Sequence, residues 1–160
     1  MANEKPDDVR KRAFATLEKA REDLDPDEMT HAALELLHDG GAYDEARAVL
    51  DELAQTYPDR RADATALAGD AHLFSALRDP AGPRPEHVAA LEKAIVHYES
   101  AMRFGKLPKH VDEHYWKAAS ALAFVHPSPI RRRGVVDVYR RTFPHGAHVA
   151  EAEELLKRLS

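Results

Sequence analysis

The chain has 160 residues, of which 44% are hydrophobic, and this length and composition predict one domain with one buried core. Its formal net charge of -5 argues against broad nucleic-acid binding, and the absence of cysteine excludes disulfides, thiolate metal sites and cysteine nucleophiles. No apolar run is long enough to cross a membrane, and the charged first residues lack the apolar stretch of a secretory signal. We therefore expect a cytoplasmic protein with no nucleic-acid or membrane partner.

The pattern of helix formers and helix breakers divides the chain into eight predicted helices, and no segment has the alternating pattern of a strand. In the first helix, apolar residues recur every three or four positions from Val9 to Leu24. The second begins after Asp25, which can cap it, and Pro26 fits its first turn, while Gly40 can end it. The predicted helices span residues 6–24, 26–39, 43–56, 61–77, 85–104, 108–125, 130–142 and 147–159.

Prolines and glycines set most of the later boundaries. Pro80, Gly82 and Pro83 place three helix breakers within four positions, which predicts a loop insertion between the fourth and fifth helices. Pro108 can open the sixth helix, and Ser128 can cap the seventh. Eight helices joined by short links predict an all-α antiparallel array.

One segment resembles the second half of a tetratricopeptide repeat. In that family this half reads Gly-x-Tyr-x-x-Ala, followed by an apolar residue four positions on, another three later, and a closing proline. The matching residues in this chain are Gly41, Tyr43, Ala46, Leu50, Leu53 and Pro58. The resemblance implies a pair of helices in which glycine ends the leading helix, alanine lets the two helices approach closely, and proline ends the trailing helix.

Two weaker units follow. Residues 68–71, Ala-Gly-Asp-Ala, resemble the small-residue crossing point of a second leading helix, and residues 92–102 resemble its trailing helix. The third unit is degenerate, with a leading helix around Tyr115, although residues 141–144 resemble 55–58.

Together these matches predict a single all-α domain, a tetratricopeptide-like α-solenoid of about eight helices. Its expected limits are 1–160, with three repeats over 27–144, an N-terminal capping helix over 6–24 and a C-terminal capping helix over 147–159. Capping helices are expected because the terminal units of a repeat stack each leave one face unburied. A generic helical bundle is the alternative.

In this family the stacked leading helices line a concave groove where partner peptides bind. Matching positions imply an acidic groove here with an aromatic pair toward its C-terminal end. The implied groove residues are Glu28, His31, Glu35, His38, Asp39, Asp63, Asp70, Phe74, Glu113, Trp116, Ser120 and Phe124. We therefore predict a non-enzymatic adaptor for a basic or amphipathic protein segment, with Trp116 or Phe124 as the apolar anchor. The alternative is that the carboxylates are solvated and Trp116 packs in the core.

Residues 110–114 match the His-x-x-Glu-His pattern of inverted zinc peptidases, and His110 and His114 share one face of a helix. Glu151, Glu153 and Glu154 are conceivable third ligands, but nothing in the sequence places them nearby. Those peptidases are also much larger folds. We therefore predict no metal site, no cofactor and no catalytic residue, and keep a small histidine-rich metal-binding or metalloenzyme domain as an alternative.

The densest basic run is Arg131, Arg132 and Arg133, in the first turn of the seventh predicted helix, where positive charge opposes the helix dipole. One interpretation is a second contact patch for an acidic partner or phosphate, and the other is a solvated cluster. For the whole chain, a secretion chaperone of the tetratricopeptide class is a further alternative, which the size and repeat number fit. A homodimer is expected if the third unit leaves an uncapped face.

Overall fold

The computed structural model describes residues 4–159 of the chain. This part contains eight α-helices and two short 3-10 helices, and it contains no strand. The helices are α1 (Pro6–Asp23), α2 (Pro26–His38), α3 (Tyr43–Thr56), α4 (Arg61–Leu77), α5 (Val88–Phe104), α6 (His110–Val125), α7 (Pro129–Thr142) and α8 (Val149–Arg158). The all-helical class is confirmed. The expected domain limits, 1 and 160, lie outside the described residues.

Most helix ends lie within a few residues of their predicted positions. The Asp25 side chain accepts hydrogen bonds from the backbone N–H groups of Asp27 and Glu28, at 3.0 and 3.1 Å, and so caps α2 as predicted. The fifth helix differs, because Pro85–His87 forms a 3-10 turn and α5 begins only at Val88. No helix within residues 4–159 combines the length and the apolar character that crossing a membrane requires.

Leu24 lies just beyond the end of α1 rather than inside the helix, and its backbone is in the left-handed region with φ 53°. The next N–H, from Asp25, donates to the carbonyl of Ala20 at 2.9 Å, which is the bond that closes a helix through a left-handed residue. Glycine adopts this conformation without the steric penalty that a leucine side chain brings.

Replacing Leu24 with glycine is therefore expected to stabilise the protein by about 0.5–1 kcal/mol, because the relieved backbone strain exceeds the added freedom of the unfolded chain. The exposed Leu24 side chain loses little buried area in this change. Urea unfolding measures the effect, with Leu24→Ala as the control that removes the same side chain but keeps the strain. Equal stability of the two variants would show that the backbone at this position is not strained.

Helices that are consecutive in sequence make most of the extensive contacts, from α1 with α2 through to α7 with α8, and α4 also packs on α6. Ion pairs join helices two apart: Arg21 of α1 bonds Glu52 of α3, and Arg131 of α7 bonds Glu92 of α5. Helical repeat proteins show the same pattern of contacts, since each unit touches only its neighbours. Three stacked repeats with a concave groove stay a prediction.

The buried side chains form two hydrophobic clusters that meet at α4. One cluster fills the space between α1, α2, α3 and one face of α4, and it is rich in alanine. The other lies between a second face of α4 and helices α5 to α8. Phe74 packs against both clusters, so α4 connects the two halves of the core.

Candidate functional site

A carboxylate lies buried in the middle of α4. Asp70 is 2% exposed, and the helix around it is built mainly from buried small residues. A buried carboxylate without partners is costly, so such a group needs hydrogen bonds or opposite charge around it. Asp70 obtains these from α5 and α6.

Three side chains surround the Asp70 carboxylate. The Tyr98 hydroxyl of α5 donates to Oδ1 at 2.7 Å, and His114 Nδ1 of α6 lies 2.8 Å from the same oxygen. His110 Nε2, one turn earlier on α6, lies 3.0 Å from Oδ2. The His110 nitrogen is shielded from solvent, and its contact with Oδ2 is an ion pair without the angles of a well-formed hydrogen bond.

The charges of this cluster support one another. Burial alone would raise the pKa of Asp70, but the polar contacts with His110, His114 and Tyr98 and the charge of His114 outweigh burial and hold that pKa below its ordinary value. The Asp70 carboxylate in turn raises the pKa of His110 above its ordinary value, against the effect of burial. Burial and the adjacent carboxylate raise the pKa of the Tyr98 hydroxyl, so Tyr98 stays a hydrogen-bond donor.

A row of rings extends from this cluster across three helices. The Phe74 ring of α4 meets the His114 ring of α6 edge to face, with centroids 5.2 Å apart. On its other side, Phe74 lies 5.6 Å from the His38 ring of α2. The row His38–Phe74–His114 therefore links side chains of α2, α4 and α6.

Glu113, the acid of the His-x-x-Glu-His motif, belongs to a second polar cluster. Its Oε2 bonds His148 Nε2, while His148 Nδ1 lies 2.7 Å from Glu151 Oε1. The His148 ring stacks on Trp116 with centroids 5.6 Å apart and an interplanar angle of 11°. Glu151, one of the conceivable third ligands, thus pairs with His148, and the motif's two histidines converge on Asp70 instead.

The implied groove residues differ widely in exposure. Trp116 is only 8% exposed and packs against Tyr139 and His148, whereas Phe124 is 77% exposed. Of this aromatic pair, Phe124 is therefore the ring that a partner can reach. The exposed members of the set are Glu28, His31, His38, Asp39, Asp63 and Phe124, and the partly buried ones are Glu35, Phe74, Glu113 and Ser120.

The three consecutive arginines all make intramolecular bonds. Arg131 donates to both oxygens of Glu92 at 2.8 and 2.6 Å, which also lowers the pKa of Glu92. Arg132 donates to the carbonyl of His126, and Arg133 donates to the carbonyl of Leu156 at 2.9 Å. These bonds tie α7 to α5, to the preceding loop and to α8. The arginine run therefore helps to hold α7 in place in the fold.

The sequence pattern places Asp70 in the implied groove and the two histidines in a separate motif, and it does not connect them. The resemblance implies only a packing role for Tyr98, which lies within residues 92–102. The available signal is a polar residue inside an alanine-rich helix, which marks a carboxylate that must find partners once the helix is buried. No protein-family model matches the chain, and no curated protein or solved structure matches it either.

Proposed function

We propose that this chain is a tetratricopeptide-type adaptor without enzymatic activity, which works in the cytoplasm and holds a partner protein or peptide against one face of its helices. We call this face the even-helix face, because α2, α4 and α6 form it. It consists of Glu28, His31, His38, Asp39, Asp63, Phe74, Glu113, Ser120 and Phe124. The ring row His38–Phe74–His114 carries the proposal, since it links side chains of three alternate helices.

The charge of the even-helix face supports a basic partner. Glu28, Asp39 and Asp63 are exposed carboxylates on this face. Glu113 is less available to a partner because it pairs with His148. Glu35, beside the face, forms ion pairs with Arg12 and His31 through its Oε1 atom. The exposed acids would mainly speed and select the encounter with a cationic segment, since exposed charges contribute little to affinity.

The apolar part of the interaction would come from Phe124. It is the large hydrophobic side chain most exposed on α6, and burying an aromatic ring at the centre of a contact contributes much of the binding free energy in protein complexes. An amphipathic helix or strand with lysine or arginine on one side and leucine or phenylalanine on the other fits this combination of exposed acids and one exposed ring.

A labelled amphipathic peptide of lysine and leucine is expected to bind the chain, and the same peptide with glutamate in place of lysine is not. Fluorescence anisotropy measures both titrations. Raising the ionic strength from about 0.01 M to about 0.15 M should weaken the basic peptide's affinity roughly threefold to tenfold, because it shortens the range of charge attraction. Equal binding of the two peptides, or binding that ignores salt, would contradict the acidic face.

Two variants with matched charge locate the peptide. Glu28→Gln with Asp63→Asn removes two carboxylates from the even-helix face, while Glu45→Gln with Asp51→Asn removes two exposed carboxylates from α3. Only the first pair is expected to weaken binding. Phe124→Ala should weaken it about tenfold, which is the usual loss at a moderately important aromatic contact. Identical losses in both charge variants would place the peptide elsewhere.

A further inference from the structure

We propose that Asp70, His110 and His114 together bind one divalent zinc-class metal ion, which clamps α4 to α6. Two imidazoles and one carboxylate are a ligand set that zinc takes in proteins, with water or another group in the fourth position. The two histidines lie four positions apart on α6, with ring centroids 4.9 Å apart, and the carboxylate comes from α4. Ion binding at this site does not depend on the proposed partner face.

The ligand atoms are close to the arrangement that an ion needs. His114 Nδ1 and His110 Nε2 lie 2.8 and 3.0 Å from the two Asp70 oxygens, and the atoms that one ion would join are all within 4.8 Å of one another. Around a tetrahedral zinc with bonds of about 2.0–2.1 Å, neighbouring ligand atoms are about 3.3 Å apart. The two imidazoles therefore lie a few tenths of an ångström closer to the carboxylate than in a zinc site, and seating the ion requires both rings to shift.

The contact of His110 with Asp70 also points to a ligand. His110 Nε2 is shielded from solvent and lies 3.0 Å from the carboxylate oxygen, but this contact lacks the angles of a well-formed hydrogen bond. A poorly formed hydrogen bond at a buried polar atom is costly. A metal ion between this nitrogen and the carboxylate would satisfy both without requiring the angle that a hydrogen bond requires.

The surroundings hold the ligands in place. Tyr98 donates a hydrogen bond to Asp70 Oδ1, and such outer contacts to a ligating carboxylate fix its orientation in metal sites. Phe74 packs edge to face against the His114 ring and restricts its rotation. These contacts come from α5 and α4, so the site is assembled by three helices rather than by one flexible loop.

An ion can reach the cluster from the His110 side. The His110 side chain is 37% exposed, while the Asp70 side chain behind it is buried. Asp63, an exposed residue near the start of α4, lies close enough for its charge to act on His110, and its negative potential favours an approaching cation. The site is thus deep enough to hold an ion and open enough to load it.

The geometry assigns binding to this site and not hydrolysis. In the inverted zinc peptidases the glutamate of the motif acts beside the metal, whereas Glu113 here bonds His148 in the second polar cluster. The ion would therefore act as a clamp between α4 and α6, the two helices that also contribute Phe74 and Phe124 to the even-helix face.

Titration of the untagged, chelator-treated full chain with Zn²⁺ tests the site. We expect one ion per chain by calorimetry, and visible absorption typical of tetrahedral coordination when Co²⁺ replaces Zn²⁺. At about one hundred times the dissociation constant, the ion should raise Tm by about 5–10 °C, because it binds the folded chain alone. Absence of stoichiometric binding, or binding without a change in Tm, would overturn the clamp.

Variants separate this site from the other histidines. His110→Ala and Asp70→Asn should each reduce Zn²⁺ affinity at least tenfold, and His145→Ala, which removes an exposed histidine between α7 and α8, should leave it unchanged. Circular dichroism checks that each variant is folded. Should Asp70→Asn fail to fold, imidazole NMR signals of the intact chain decide: those of His110 and His114 must shift first and together. An equal loss of affinity in His145→Ala, or NMR shifts confined to other histidines, would overturn the proposal.

Discussion

Gly69→Ala is expected to destabilise the protein by about 2 kcal/mol, although alanine is the better helix former. A Cβ atom at this position of α4 would lie 2.7 Å from Cε1 and 3.0 Å from Cδ1 of Tyr98, and 3.2 Å from Cβ of His97. Tyr98 cannot move away easily, because its ring is fully buried and its hydroxyl is bonded to Asp70. The added methyl must displace either the ring or the helix.

Gly134→Ala is the matched control, because Gly134 also lies inside a helix, α7, and nothing lies within 4 Å of its would-be Cβ. This change should stabilise the protein by about 0.5–1 kcal/mol through helix propensity alone. The free energy of unfolding in urea separates the two variants by sign. A stabilising Gly69→Ala would mean that α4 and α5 do not approach as closely as this packing requires.

The close approach at Gly69 also shows what could be read from the sequence. The run Ala68-Gly69-Asp70-Ala71 indicates a small-residue crossing point, and α4 and α5 do make the most extensive contact of any helix pair described. Caps and breakers such as Asp25 and Ser128 are equally informative, because they act through hydrogen bonds to their own helix. Local chemistry of this kind predicts helix boundaries without knowledge of the tertiary fold.

The cluster around Asp70 could not be predicted in the same way. His114 and Asp70 are 44 positions apart, and their contact depends on how far α6 slides and rotates against α4. Helical periodicity correctly puts His110 and His114 on one face, but it does not say which neighbouring helix that face meets. Chemistry alone makes the glutamates of α8 conceivable partners for these histidines, whereas in the fold Glu151 bonds His148.

The same reason explains the placement of Trp116 and the arginine run. An aromatic residue on an amphipathic helix fits either a groove or the core. Trp116 lies in the core because its ring packs against Tyr139 and His148. Arg131 appears in sequence as a charge that opposes its own helix dipole. In the fold it faces Glu92 of α5, and this bidentate ion pair offsets the unfavourable position.

The buried histidine His72 makes stability depend on pH in a direction opposite to that of His110. His72 of α4 lies beside the charged Arg47, whose Nη1 donates to His72 Nδ1 at 2.9 Å, and the His97 ring lies 4.9 Å away. Burial, followed by the charge of Arg47, lowers the pKa of His72 to about 4. The His72 imidazole is therefore neutral in the folded chain at neutral pH.

As pH falls below about 6.5, the unfolded chain gains a proton at His72 that the folded chain does not bind until about pH 4, so stability is lost through this interval. The loss should reach about 2–3 kcal/mol, because a tenfold difference in proton affinity between the two states corresponds to about 1.4 kcal/mol and partial solvation reduces the total. The pKa values of His110 and His148 are raised, so these groups contribute stability at low pH that is lost as pH rises, and they act in the opposite sense.

Comparing the wild type with His72→Asn isolates this contribution, because asparagine can still accept the hydrogen bond from Arg47 but takes up no proton. Urea unfolding at pH 7 and at pH 5 gives two stability differences between wild type and variant. We expect the variant to gain about 1–2 kcal/mol relative to the wild type on going from pH 7 to pH 5, whatever its stability at neutral pH. His145→Asn, on an exposed residue, controls for the loss of a histidine in general. If both variants respond to pH alike, the imidazole of His72 is not held neutral by burial and Arg47, and acid sensitivity must arise elsewhere in the chain.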